Sequence, residues 1–155
     1  MTGMHHALTP IGLNAIATGG TDSLIFVSQV CSNIAQSGSS FAVAVKSKDE
    51  NMKQLASAAG VSALMGITEP AIFGVNLRTI KVFIFGSIGG ACGALMTSIF
   101  HLGATATGVT GIFAILLHLK QPVQYIVSML VAMGVAFLLT WLFGYKETPA
   151  AAQTK

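Results

Sequence analysis

No Asp, Glu, Lys or Arg occurs between Asp22 and Lys46, between Lys81 and Lys120, or between Lys120 and Lys146. A helix of about 20 apolar residues crosses a hydrocarbon core of about 30 Å. Each of the three stretches is long enough to do so. The chain as a whole is only 8% charged and 53% hydrophobic, with a mean hydropathy of +0.74. Soluble domains carry about 25% charged residues, so the composition places this chain in a lipid bilayer. The net charge of +3 is scattered rather than gathered into the dense basic face that nucleic acids require. The lysines are more informative as markers of membrane sidedness.

The charge-free stretches differ in character. Ser23–Val45 carries Ser28, Gln29, Ser32, Asn33, Gln36, Ser37, Ser39 and Ser40. Polar residues at that density are expected to face a bundle interior or a wet cavity, not lipid. Val82–Leu119 is rich in glycine and accommodates two short spans, or one span and a re-entrant piece through Gly103–Gly111. Gly86, Gly89, Gly90 and Gly93 recur at helical spacing, which suits close helix contact. Val123–Tyr145 is the most uniformly apolar, with Tyr125 near one end and Trp141 and Tyr145 near the other as expected interfacial anchors. Residues 1–22 read as a weakly polar, Gly/Thr-rich lead-in without a signal peptide. Lys46–Lys53 reads as a solvated loop and as the best cytoplasmic marker. If the tail shares that side, Val82–Leu119 crosses an odd number of times, which favours one span plus a re-entrant half. Residues 148–155 are expected to form a disordered polar tail.

Leu55–Thr68 is too short to cross alone, and Pro70 interrupts any helix running through it. Apolar segments of this length are buried or re-entrant, and broken backbone at membrane depth is tolerated where protein buries it or it lines a cavity. Glu69-Pro70 is therefore expected at the tip of a re-entrant hairpin, an arrangement transporters use at binding sites. Glu69 is also the lone carboxylate between Lys53 and Arg78. A charged group at mid-membrane costs about 3 kcal/mol or more, so a chain keeps one where it meets water, a partner or a substrate. Cys31 and Cys92 are far apart, with no metal-ligand spacing, and read as two buried thiols. Adjacent His5 and His6 make a poor metal site without a third ligand nearby. His101 and His118 read as packing or interfacial residues. No metal or cofactor is expected.

Gly66-Ile67-Thr68-Glu69-Pro70-Ala71-Ile72-Phe73-Gly74-Val75-Asn76-Leu77 resembles the GITEP signature of bacterial sugar phosphotransferase permeases, the enzyme IIC subunits of the glucose and glucoside branch. Gly3-Met4-His5-His6 resembles the element that precedes it there. Asn33-Ile34-Ala35-Gln36, the charged run and Gly89–Ala94 follow the same order. The resemblance covers residues 1–147 and matches the C-terminal part of such a domain. Leu8–Ile11 and Asp22–Leu24 look most like the β-glucoside members, whereas Asn76–Arg78 and Gly89–Ala94 lean toward the sucrose and trehalose members.

The resemblance implies an all-α, multi-pass protein of the bacterial cytoplasmic membrane that binds an external sugar and re-exposes it inside. A phosphocysteine on a IIB partner then phosphorylates a sugar hydroxyl, upstream of which stand IIA, HPr and enzyme I. Neither Cys31 nor Cys92 resembles that phosphocysteine. The resemblance places Glu69, Thr68, His5 and His6 in the sugar site, with Asn33, Gln36 and Asn76 as weaker candidates. A carboxylate can accept from two sugar hydroxyls, each charged hydrogen bond contributing about 1.5–3 kcal/mol. Glu69 can also serve as general base or simply orient the hydroxyl, since phosphoryl transfer proceeds mainly by positioning. An N-terminal IIC half and a homodimeric assembly are further implied partners. Two other readings stand beside this one: a proton- or cation-coupled carrier using Glu69, and a remnant that does not transport without the missing half.

Overall fold

A computed structural model describes residues 5–19, 25–103, 111–118 and 121–144. All regular structure among them is helical: α1 (His5–Gly19), α2 (Ile25–Lys46), α3 (Glu50–Leu64), α4 (Ile80–Ile99) and α5 (Pro122–Leu139), with shorter helical pieces between and after them. Two of the helices, Ile80–Ile99 and Pro122–Gly144, are long and apolar enough to cross a membrane. The polar tail and Tyr145 lie outside the described residues.

The organising element is α2, which packs against α3, α4 and α5. Its 22 residues rise about 33 Å at 1.5 Å per residue, so it matches the spans in length while being far less apolar. From Asn33 onward its polarity is turned inward, as the sequence suggested, whereas Ser32 is exposed and Ser28 and Gln29 are half-buried. Gln36, Ser37, Ser39 and Ser40 are all buried. Each of the three hydroxyls finds an acceptor: Ser37 Oγ donates to the Gly60 carbonyl of α3 at 2.7 Å, while Ser39 and Ser40 donate back to the Gln36 carbonyl at 3.0 and 2.9 Å. Without such partners, buried hydroxyls in an apolar surround would each cost several kcal/mol by hydrocarbon-transfer measures, about 4–8 at the upper end.

Helix α4 has no polar face to turn inward, and size sorts its residues instead. Ile80, Ile84, Ile88, Leu95 and Ile99 are exposed, whereas Gly86, Gly89, Gly90 and Gly93 are buried. A Cβ at Gly89 would lie 2.6 Å from Ala136 Cβ and 2.8 Å from the Ala132 carbonyl; at Gly93 it would lie 2.6 Å from Ala132 Cβ and 3.2 Å from Cys31 Cβ. The seam thus has α5 on one side and α2 on the other, both touching α4 backbone. Lipid competes with apolar side chains for each other, so close approach of small residues is what holds such helices together.

Lys46 Nζ donates to the Trp141 carbonyl, which brings the end of α2 and the end of α5 to the same edge of the bundle. Block 82–119 supplies one long helix, α4, and, among its described residues, only the eight-residue 3-10 helix Gly111–His118 after it.

Several sequence expectations change. The lead-in is helical from His5 to Gly19 despite Pro10 inside it. Proline there removes a donor to the preceding turn, yet the helix continues and packs Gly12 against Phe26 of α2. The charged run is a loop only over Ser47–Asp49. Asp49 accepts from the Asn51 N–H at 3.1 Å and starts α3 at Glu50, an N-cap that converts half of the run into the first helical turn. Cys31 is buried, but Cys92 is only partly so. Tyr125 is not an interfacial anchor. It is 1% exposed, within a core formed with Val27, Val30, Ile34, Leu102, Ala114 and Met129.

Candidate functional site

Gly66 stops α3. With φ of 101° it occupies the left-handed region that glycine enters without steric cost. Its N–H donates to the Ala63 carbonyl at 3.0 Å, and the Ile67 N–H reaches back to the Ser62 carbonyl at 3.0 Å. This pair of bonds is the Schellman arrangement that satisfies the last carbonyls of a helix. Ile67 and Thr68 then run without regular structure, and helix resumes at Glu69 with Pro70 in its first turn. Proline is well placed there, because the first N–H groups of a helix have no internal acceptor. The Ile72 N–H donates to the Thr68 carbonyl at 2.9 Å.

The GITEP residues are thus a stop signal followed by a start signal, with Thr68-Glu69 at the joint. Beyond it the backbone widens into a π-helix over Pro70–Val75 and tightens into a 3-10 turn over Asn76–Arg78. The returning arm lies along α3, with Gly74 facing Leu55 near the start of α3. Helix α3 and this arm form a helical hairpin with Glu69 at its turn. Glu69 is exposed on the described surface, Thr68 half-buried, and the neighbouring Ile67 and Phe73 are exposed. From the sequence Glu69 is expected at the tip of a hairpin, and on this chain it projects from the turn of a helical one. Its place in the first turn of a helix suits a negative charge, since the helix dipole is positive there.

The other end of the motif is fixed internally. Asn76 is 0% and Gln36 3% exposed. The Asn76 amide donates to Gln36 Oε1, and Ser40 Oγ stands 3.4 Å from Asn76 Oδ1. Two of the weaker sugar-site candidates therefore bind each other, tying the hairpin's return arm to α2. Asn33 lies three residues before Gln36 on α2 and is 8% exposed. His5 and His6 open α1, whose neighbour is the start of α2. Their side chains lie outside the described residues, as does that of His118. His101 is exposed and has a positive φ of 50°. It ends α4 in a second Schellman arrangement, the Leu102 N–H bonding the Thr97 carbonyl at 3.0 Å and the His101 N–H the Ser98 carbonyl at 3.1 Å.

Two residues that support the turn escaped the sequence reading. Gly111 was one glycine among many in its block, and Tyr125 looked like an anchor. The Tyr125 hydroxyl donates to the Gly111 carbonyl at 3.1 Å, and Gly111 backbone abuts the Leu64–Gly66 backbone. Ser40 had a visible signal, four residues after Gln36 and so on the same helix face.

The profile of the phosphotransferase system EIIC family matches residues 1–91, more than half of the chain and all of the GITEP hairpin. The chain belongs to the EIIC family. Relatives of this EIIC chain include the sucrose-specific EIIBC component of Salmonella typhimurium, 37% identical over 149 residues, which span 94% of this chain and 32% of that protein. The β-glucoside-specific EIIBCA component of Bacillus subtilis (strain 168) is 35% identical over 152 residues, 97% of this chain and 25% of that protein. The arbutin-, cellobiose-, and salicin-specific EIIBC component of Escherichia coli (strain K12) is 34% identical over 165 residues, 100% of this chain and 34% of that protein. The EIIC chain thus spans about a third or less of the length of these relatives. No solved structure matches it. An EIIC domain is a membrane permease domain, in keeping with the two apolar helices and with a wholly helical fold among the described residues.

Proposed function

We propose that residues 1–147 are the C-terminal part of an EIIC sugar permease domain, and that Glu69 is its sugar-binding carboxylate. The observation that carries this reading is the placement of Glu69. A lone carboxylate projects from a hairpin turn whose two ends are anchored by backbone and buried amide hydrogen bonds. A group so exposed contributes little to the fold of this chain, yet it is mounted rigidly. That combination suits a ligand contact, where a backbone already ordered adds little to the entropy lost on binding.

In this reading the chain's residues divide the work. Glu69 accepts from sugar hydroxyls, and Thr68 offers a hydroxyl beside it. His5 and His6 are further sugar contacts, as the resemblance implies, and the Gln36–Asn76–Ser40 knot holds the hairpin against α2. Glu69 either takes the proton of the reacting hydroxyl or orients it. The phosphoryl group comes from the phosphocysteine of a IIB partner, supplied through IIA, HPr and enzyme I. The hairpin is re-entrant in the bilayer of the bacterial cytoplasmic membrane, and the remainder of the IIC domain, in a homodimeric assembly, completes the cavity over Glu69. The substrate is a glucoside. Residues Leu8–Ile11 and Asp22–Leu24 favour a β-glucoside, with sucrose as the alternative supported by Asn76–Arg78.

The test is accumulation of labelled β-glucoside, and separately sucrose, in cells containing the general phosphorelay and a matching IIB partner. The chain is expressed with a co-expressed N-terminal IIC half, with and without Glu69→Gln. Phosphorylated sugar is expected with the parent chain and lost in the variant, at unchanged protein level. Equal phosphorylation by Glu69→Gln would remove Glu69 from the site.

A further inference from the structure

A buried tyrosine on α5 touches, through one glycine, the backbone of the turn that carries Glu69. Gly111 has φ of +66°, and a Cβ added to it would lie 2.1 Å from the Leu64 carbonyl oxygen, 2.6 Å from Gly66 N and 2.7 Å from the Met65 carbonyl carbon. No side chain fits there, and the left-handed backbone is one that a side chain would strain. On its other side, the Gly111 carbonyl accepts the Tyr125 hydroxyl at 3.1 Å. Tyr125 belongs to a buried cluster that also holds Val27 and Val30 of α2 and Leu102 beyond α4, with Leu64 packed against it. A buried phenol that donates to a backbone carbonyl helps to fix both ring and acceptor, because breaking such a bond in an apolar core is costly.

We propose that Tyr125 is a positioning residue which, through Gly111, latches the Gly66–Glu69 turn to the α2–α5 core. The latch acts on backbone, at the amides whose bonds close the end of α3. Displacing α5, or breaking the hydroxyl bond, therefore releases the turn ahead of Glu69 without touching Glu69 itself. The functional meaning of the latch rests on the reading of Glu69 as the sugar carboxylate. The mechanical coupling does not.

Amide hydrogen exchange of the chain in lipid nanodiscs reads the coupling directly. In Tyr125→Phe, which keeps the ring and removes the hydroxyl, the Gly66 and Ile67 amides are expected to exchange about fivefold faster, the effect of losing one hydrogen bond of ordinary strength. The amides of Val27–Ile34 in α2 are expected to stay unchanged. Gly111→Ala, which forces the turn away, is expected to give the same local pattern with a larger increase. An unchanged rate at Gly66 and Ile67, or an equal rise across α2, overturns the latch, because a merely structural phenol would loosen the core as a whole. Sugar affinity, measured after the N-terminal IIC half is supplied, is expected to fall several-fold in Tyr125→Phe, and full affinity despite faster exchange at the turn overturns the positioning role. Glu69→Gln is run beside it in both assays. If it binds sugar normally, the site reading fails while the exchange data still decide the latch.

Discussion

The Gln36–Asn76 pair offers a quantitative test of how the motif is anchored. Both amides are almost fully buried, and the Asn76 amide donates to Gln36 Oε1. Replacing Asn76 with Leu removes the donor and leaves Gln36 Oε1 in an apolar interior. A buried group orphaned in this way costs about 1–3 kcal/mol in soluble proteins. Helix-to-helix hydrogen bonds in membranes average nearer 0.6 and reach about 1.7 kcal/mol. Since Ser40 remains beside the pair, about 1–1.5 kcal/mol is expected for Asn76→Leu. Gln36→Met keeps the length of the side chain, which matters because Gly86 would bring a Cβ within 3.1 Å of the Gln36 amide. It removes the Oε1 acceptor but leaves the Asn76 amide its longer contact with the Gln36 backbone carbonyl at 3.5 Å, so it is expected to cost a similar amount or somewhat less. In the double variant neither partner is left unpaired, so its loss should fall close to that of either single change. The measurement is equilibrium unfolding in mixed micelles followed by far-ultraviolet circular dichroism, arranged as a double-mutant cycle. Losses that add to within about 0.5 kcal/mol, the behaviour of independent sites, would refute the idea that these two side chains work as one clamp.

Gly66→Ala places a side chain at a φ of 101° and is expected to lower stability by about 1–2 kcal/mol, visible as a lower unfolding midpoint in the same assay and as faster amide exchange at the end of α3. Gly93→Leu drives a side chain into Ala132, whose Cβ would stand 2.6 Å away. Overpacking of this kind costs about 1–3 kcal/mol, and cross-linking between cysteines placed on α4 and α5 should report their separation. Glu69→Gln, by contrast, is expected to lower stability by no more than the roughly 0.3–1 kcal/mol of a charge at a helix start, because the carboxylate is exposed and no hydrogen bond of the described core depends on it.

Much of this arrangement could be read from the residues, for reasons that differ by element. The extent of α2 was visible because charges bracket it and its serines demand an interior. The α4 seam was visible because four glycines at helical spacing have few other uses in an apolar helix. That no helix runs through Pro70 followed from proline alone, whereas the place of the break, from the stop at Gly66 to the restart at Glu69, depends on backbone hydrogen bonds that no single residue type announces. Helix α1 was missed because Pro10 and the neighbouring glycines argued against a helix, and packing on α2 outweighed that local preference. Tyr125 was misread because position near a span's end is a weak guide when a carbonyl from a distant loop is waiting. Of the candidate site, Glu69 and Thr68 were legible as a pair. That Gln36 and Asn76 would meet was not, because they are 40 residues apart and only the fold of the hairpin joins them.

The glycine seam of α4 has a mechanical side. Helices that interlock by large side chains resist sliding, because each knob must leave its hole before it enters the next. Along Gly89, Gly90 and Gly93 the contacts are of backbone against alanine, serine and the Cβ of Cys31, a surface with little relief, while Gly86 faces Ser39 and the Gln36 amide. Translation of α4 against α2 and α5 therefore demands few rotamer changes, which is the condition for shear between packed helices. The hairpin has no such freedom against α2, where a buried amide pair and a serine hydroxyl cross the interface. The bundle is thus divided into one face that grips and one with less to hold it, so sliding between packed helices costs least along the glycines of α4.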